Sequence, residues 1–94
     1  MNEKKYRVRE GVILKEVAGE YMLLASGKAS AVCPMMKMLN ESGAFVWKEL
    51  AEGKSLEEIE ADAAEKYETP RTEIREALTR MIGSMVRYGY LKEE

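Results

Sequence analysis

The chain has 94 residues, 46% hydrophobic and 34% charged, with a formal net charge of −2 from 15 basic and 17 acidic side chains. This length predicts one domain with a modest core. The near-balanced charge argues against the positive field that attracts nucleic acids. The single cysteine excludes an intramolecular disulfide and fits a reducing compartment. There is no long apolar run or signal segment, so we expect a soluble, cytoplasmic protein without a membrane span.

A β-hairpin is predicted first. Val12–Val17 is rich in β-branched residues and bounded by glycines, which favours a strand. Ala18-Gly19-Glu20 predicts a turn, and Tyr21–Ala25 is the expected partner strand.

A third strand is predicted over Met35–Leu39. Because Pro34 cannot donate a backbone hydrogen bond, it suits a strand start or an edge. On a strand, Met36 and Met38 point to one face and Met35 to the other. The methionines are either core filler or an exposed apolar edge that pairs with a partner strand, since methionine is common on adaptable apolar surfaces.

Three helices are predicted after the strands. Asn40 is a candidate N-cap for the first, and Ser55 and Glu58 form a capping box for the second. Thr69-Pro70 predicts the start of the third, with proline at the first helical position. Their apolar stripes are Leu39, Gly43, Val46, Trp47 and Leu50; Leu56, Ile59, Ala63 and Tyr67; and Ile74, Leu78, Met81, Ile82, Met85 and Val86.

The third helix is expected to end at Gly89, a residue type favoured just past helix ends. Tyr90-Leu91 should then fold back on the core, and Lys92-Glu93-Glu94 should fray. Strands in one block and helices in another predict an α+β fold with an antiparallel sheet. Three short helices beside a small sheet also describe a winged helix-turn-helix arrangement. Residues 1–94 are expected to form a single domain, with a core over about 11–91.

The sequence offers no catalytic constellation. It contains no histidine, so its serines and Cys33 lack the usual activating base, and a structural zinc site is excluded. The glycines are scattered as turn and cap residues and form no phosphate-binding loop. We therefore expect no enzymatic activity, no metal and no cofactor.

The third predicted helix is partly basic. Its four arginines could lie on a solvated face with i,i+4 ion pairs, or two of them, Arg71 and Arg75, could hold acidic side chains of a bound peptide. Helix-turn-helix proteins place such a helix in the DNA major groove, which is a third interpretation. The charged residues of this helix are Arg71, Arg75, Arg80 and Arg87 together with Glu73 and Glu76.

The chain resembles the PqqD-like family. Leu39–Trp47 looks like the strand-to-helix junction of that family, and Glu52–Ile59 looks like its charged glycine turn into a capped helix. Tyr67, the third-helix ending Tyr88–Leu91 and the position of Pro34 continue the match, so that the resemblance covers about 12–91.

The resemblance implies a three-stranded antiparallel sheet followed by three helices, related to the winged helix. It also implies a bacterial peptide chaperone of natural-product biosynthesis. Such domains bind the leader of a ribosomally made precursor peptide and deliver it to a modifying enzyme, often a radical-SAM protein. The leader adds as a strand to the third strand, in the groove beside the third helix. The implied peptide-binding residues are Met35, Met36, Lys37 and Met38 on one wall and Arg71, Arg75, Leu78, Thr79 and Ile82 on the other.

Two other functions stay open at this point. One is a winged-helix DNA-binding regulator that uses the third helix. The other is a dimerisation or structural subunit whose third strand pairs with its own copy, giving a homodimer.

Overall fold

The computed structural model describes residues 5–34 and 36–93. Within these residues, five strands and three α-helices follow one another, with a short 3-10 helix at Gly27–Ala31 between the third and fourth strands. The elements are β1 (Tyr6–Val8), β2 (Val12–Val17), β3 (Glu20–Ala25), β4 (Met36–Leu39), α1 (Glu41–Ala51), α2 (Leu56–Tyr67), α3 (Arg71–Tyr88) and β5 (Leu91–Glu93).

The main sheet has three antiparallel strands in the order β2-β3-β4. This confirms the predicted α+β class, the hairpin and the third strand. β4 lies at one edge, as Pro34 suggested, while Met35 lies outside the described residues. Leu14, Leu23 and Lys37 lie side by side on the face that packs against the helices, and Ile13, Leu24 and Met36 lie side by side on the other face.

A second, two-stranded sheet was not predicted. β1 pairs antiparallel with β5, with Arg7 opposite Lys92. The expectation of fraying is therefore wrong for Lys92 and Glu93, because both residues belong to β5, while Glu94 lies outside the described residues. Tyr90 and Leu91 are buried, as predicted.

The helix caps follow the sequence closely in the first two helices. The side chain of Asn40 accepts a 2.7 Å hydrogen bond from the Gly43 amide, and the Ser55–Glu58 capping box is complete. The start of α3 differs from the prediction. Pro70 is the N-cap rather than the first helical residue, and the Thr69 hydroxyl donates instead to the Tyr67 carbonyl.

One core lies between the inner sheet face and the helices. Leu23, Ile59, Met85 and Tyr90 are among its fully buried side chains. Val86, predicted to join the α3 stripe, is 38% exposed, because the stripe is wider than the surface that the sheet covers. Among the described residues, no helix is long and apolar enough to cross a membrane.

Candidate functional site

An apolar groove separates β4 from α3 and encloses a cavity of about 500 Å³. The start of α1 and the end of α2 form its floor. We call it the β4–α3 groove. Its lining residues are Lys37, Met38, Leu39, Asn40, Ser42, Gly43, Val46, Ala63, Tyr67, Thr69, Ile74, Ala77, Leu78, Met81, Ser84 and Met85.

The α3 wall is one face of the helix. Ile74, Ala77, Leu78, Met81 and Met85 lie at i, i+3, i+4, i+7 and i+11, the spacing that aligns side chains on a helix. Leu78 and Met85 are buried in the core, whereas Ile74 and Met81 are half-buried and remain partly open to the groove. The same stripe therefore serves the core and the groove together.

Lys37 places a positive charge at the groove. Its ammonium lies 5.1 Å from the centre of the Tyr88 ring, a cation–π contact that joins β4 to the last turn of α3. Among the described residues that line the groove, Lys37 alone carries a formal charge. An apolar ligand with a nearby acidic group is therefore the chemistry that this lining favours.

Tyr67 supplies a polar group at the floor. Its hydroxyl is buried and has no hydrogen-bond partner among the described residues, and its ring packs edge-on against Phe45 at 5.9 Å. Burial raises the pKa of Tyr67, so the hydroxyl stays protonated at neutral pH. Because buried polar groups are nearly always paired, this hydroxyl is available to a ligand.

The structure brings together only part of the predicted peptide-binding set. Lys37, Met38 and Leu78 line the groove. Met36 is exposed on the opposite sheet face, Ile82 is buried in the core, and Thr79 is exposed outside the lining.

Arg71 and Arg75 also lie outside the groove lining. Both guanidinium groups bind the carboxylate of Glu60 on α2, with closest N–O distances of 2.6 Å. Glu60 is only 5% exposed, and its pKa is lowered, chiefly by the hydrogen bond from Arg75. The two arginines thus join α2 to α3 instead of forming ion pairs within one helix, and a contact with a peptide stays a prediction.

Sequence reasoning missed several groove residues. Ile74, Met81 and Tyr67 were assigned to the core because they belong to apolar stripes. Ala77 and Ser84 carry no pattern of their own. One signal could have revealed them. The apolar stripe of α3 is wider than the surface that a three-stranded sheet can cover, so part of it was free to line a groove.

Comparison with known proteins agrees with this fold. The family model described as coenzyme PQQ synthesis protein D (PqqD) matches residues 10–91. The chain therefore belongs to the PqqD family. No curated protein matches the chain.

A solved structure described as TbiB1 in complex with the TbiA(beta) leader peptide has the same fold. It matches with a TM-score of 0.77 and 21% sequence identity, over 92% of this chain and 94% of that chain. At this identity, the similarity shows a shared fold.

Proposed function

We propose that this protein binds the leader segment of a ribosomally synthesised precursor peptide in the β4–α3 groove and presents it to a modifying enzyme. The observation that carries the proposal is that β4, an edge strand of the sheet, lies directly beside an apolar groove. An edge strand offers unpaired backbone groups to an extended peptide, and the pockets beside it receive alternate side chains. PqqD family membership and the leader complex of the structurally similar TbiB1 support the same function.

The partner enzyme is a radical-SAM protein or another maturation enzyme, and this chain contributes binding without chemistry of its own. The groove supports a binding role because its lining is apolar, with a single charged side chain at Lys37. Affinity comes from main-chain hydrogen bonds to β4, and specificity comes from side chains in the groove.

The structure lends less support to the DNA-binding alternative. Such a regulator would need free positive charge on α3. Arg71 and Arg75 instead share the carboxylate of Glu60, which offsets part of their positive charge. Glu73 and Glu76 add negative charge to the same helix.

A pair of matched variants on α3 tests the groove. Ala77 lines it, whereas Thr79 is exposed two residues away and does not. Ala77→Trp should fill the groove and weaken leader binding at least tenfold, whereas Thr79→Trp should leave binding within twofold. The measurement is fluorescence anisotropy of labelled leader-like peptides taken from the open reading frames that neighbour the gene for this chain.

Equal losses in both variants would contradict the groove assignment. Weaker leader binding in Thr79→Trp alone would favour the peptide-binding face of α3 that was predicted from the sequence. Salt-sensitive binding of duplex DNA, with no binding of the leader, would favour the regulator instead.

A further inference from the structure

The sheet face turned away from the helices is unusually apolar. Two cross-strand rows cover it, Ile13–Leu24–Met36 and Lys15–Met22–Met38. We call these six residues the outer sheet face. Ile13 and Met36 are each 55% exposed and Met38 is 47% exposed. Antiparallel sheets that pack one face on a core normally carry polar residues on the other, so this face needs a different explanation.

Leader binding in the groove does not account for this face. On β4, Lys37 and Leu39 point toward the groove and Met38 borders it, whereas Met36, like Ile13 on β2, does not line the groove. The largest exposed apolar patch of a protein is often functional, and methionine allows such a surface to adapt to the shape of a partner.

The size of the face argues against a stable dimer. Three strands spaced about 4.8 Å apart and up to six residues long cover roughly 15 by 20 Å, or about 300 Å². Stable protein interfaces bury about 800 Å² on each partner. A partner held here must therefore bind weakly, or be held by a second connection.

The bound leader would supply that second connection. A strand added to β4 places alternate side chains on each face, so it fills the groove on one side and widens the outer sheet face on the other. Met38 lies where the two surfaces meet, because it belongs to both the groove lining and the outer row. The leader is covalently joined to the segment that the enzyme modifies, which raises the effective concentration of a weak contact.

We propose that the outer sheet face is the docking surface for the modifying enzyme, which covers it with an apolar patch bearing an acidic group opposite Lys15. This inference rests on the proposed leader-binding function. Because leader and face are continuous through β4, the enzyme meets its largest docking surface only when the leader is bound.

The test compares Ile13→Lys with Val32→Lys. Ile13 lies on β2, at the far side of the sheet from the groove, and Val32 is 57% exposed outside the sheet. The assay uses a leader-like precursor that the wild-type protein binds and a candidate modifying enzyme, both sought among the open reading frames that neighbour the gene for this chain. Leader affinity is measured by anisotropy, and modification kinetics are measured with the complete complex.

We expect all three proteins to bind the leader within twofold of one another. Ile13→Lys should raise the enzyme's apparent KM for the loaded complex at least tenfold with kcat unchanged, and Val32→Lys should change neither. Retained leader binding shows that each variant is folded.

Three outcomes would overturn the inference. Wild-type kinetics in Ile13→Lys with intact leader binding would refute the docking surface and leave the proposed function standing. Failure of the wild-type protein to bind the leader would refute the proposed function and this inference with it. A wild-type dimer in sedimentation that Ile13→Lys abolishes, without loss of modification, would assign the face to self-association.

Discussion

The phenolic hydroxyl of Tyr90 donates a 2.8 Å hydrogen bond to the backbone carbonyl of Pro34, 56 residues earlier in the chain. Tyr90 is fully buried, and Pro34 lies just before β4. The bond connects the segment that follows α3 to the residues that precede the edge strand β4. The position of β4 beside α3 therefore depends on a residue that lines neither the sheet nor the groove.

Removing this hydroxyl should destabilise the protein. Tyr90→Phe leaves the ring in the core but removes the partner of the Pro34 carbonyl, which should lower the free energy of unfolding by about 1 kcal/mol. The measurement is urea denaturation. Tyr88→Phe is the matched control, because Tyr88, the last residue of α3, is exposed and its change should alter stability by less than about 0.5 kcal/mol. Equal losses would contradict the role of the Pro34 bond.

Glu60 should make the fold sensitive to acid. Its pairing with Arg71 and Arg75 lowers its folded pKa below the ordinary value of 4.5. That stabilisation is complete above the ordinary pKa and is lost as pH falls through the folded pKa. Glu60→Gln should cost about 1–2 kcal/mol at pH 7.

The check on Glu60 is chemical denaturation of both proteins between pH 7 and pH 3. The difference in stability between wild type and variant should shrink below about pH 4.5, the ordinary glutamate value. A difference that stays constant across this range would show that the ion pairs contribute nothing specific.

Lys37 should give leader binding a modest dependence on salt. It is the charged residue of the groove lining, so Lys37→Met should weaken binding of an acidic leader about threefold, as for an exposed ion pair. Titrations at low and high salt should show that the variant has lost most of the salt dependence. Lys48→Met is the control, because Lys48 also lies over a tyrosine ring but not in the groove. An identical effect in both variants would argue for a general charge effect.

Tyr67→Phe should weaken leader binding without lowering the free energy of unfolding. The variant removes a buried hydroxyl that has no partner among the residues that the structure describes, so unfolding stability should stay equal or rise by up to about 1 kcal/mol. Leader binding should weaken about fivefold because the ligand loses a hydrogen-bond partner. Tyr21→Phe, outside the groove lining, provides the comparison in both assays. Unchanged leader affinity in Tyr67→Phe would show that the hydroxyl takes no part.

Local patterns predicted most of the fold. The hairpin, the Asn40 cap and the Ser55–Glu58 capping box depend on neighbouring residues, and the structure confirms them. The β1–β5 pair depends on segments at opposite ends of the described chain. Three-residue strands carry no measurable alternation, so sequence gave no reason to pair them.

The candidate site was harder to predict because it depends on which face an element presents. Arg71, Arg75 and Thr79 share one face of α3, whereas Ile74 and Met81 share the face that meets the groove. A one-position change rotates a helical side chain by about 100°, and no local signal fixes that angle. On β4 the same problem takes a simpler form. The alternation of Met36 and Lys37 was clear, but only packing decides which residue faces the helices.

The pairing of β1 with β5 sets the two flanks of the domain side by side. Neither strand contributes a residue to the groove lining. Such a domain can be spliced into a surface loop of a larger protein, because both connections leave at one point. An insertion of this kind would keep the groove intact, and the larger protein would acquire its ligand preference.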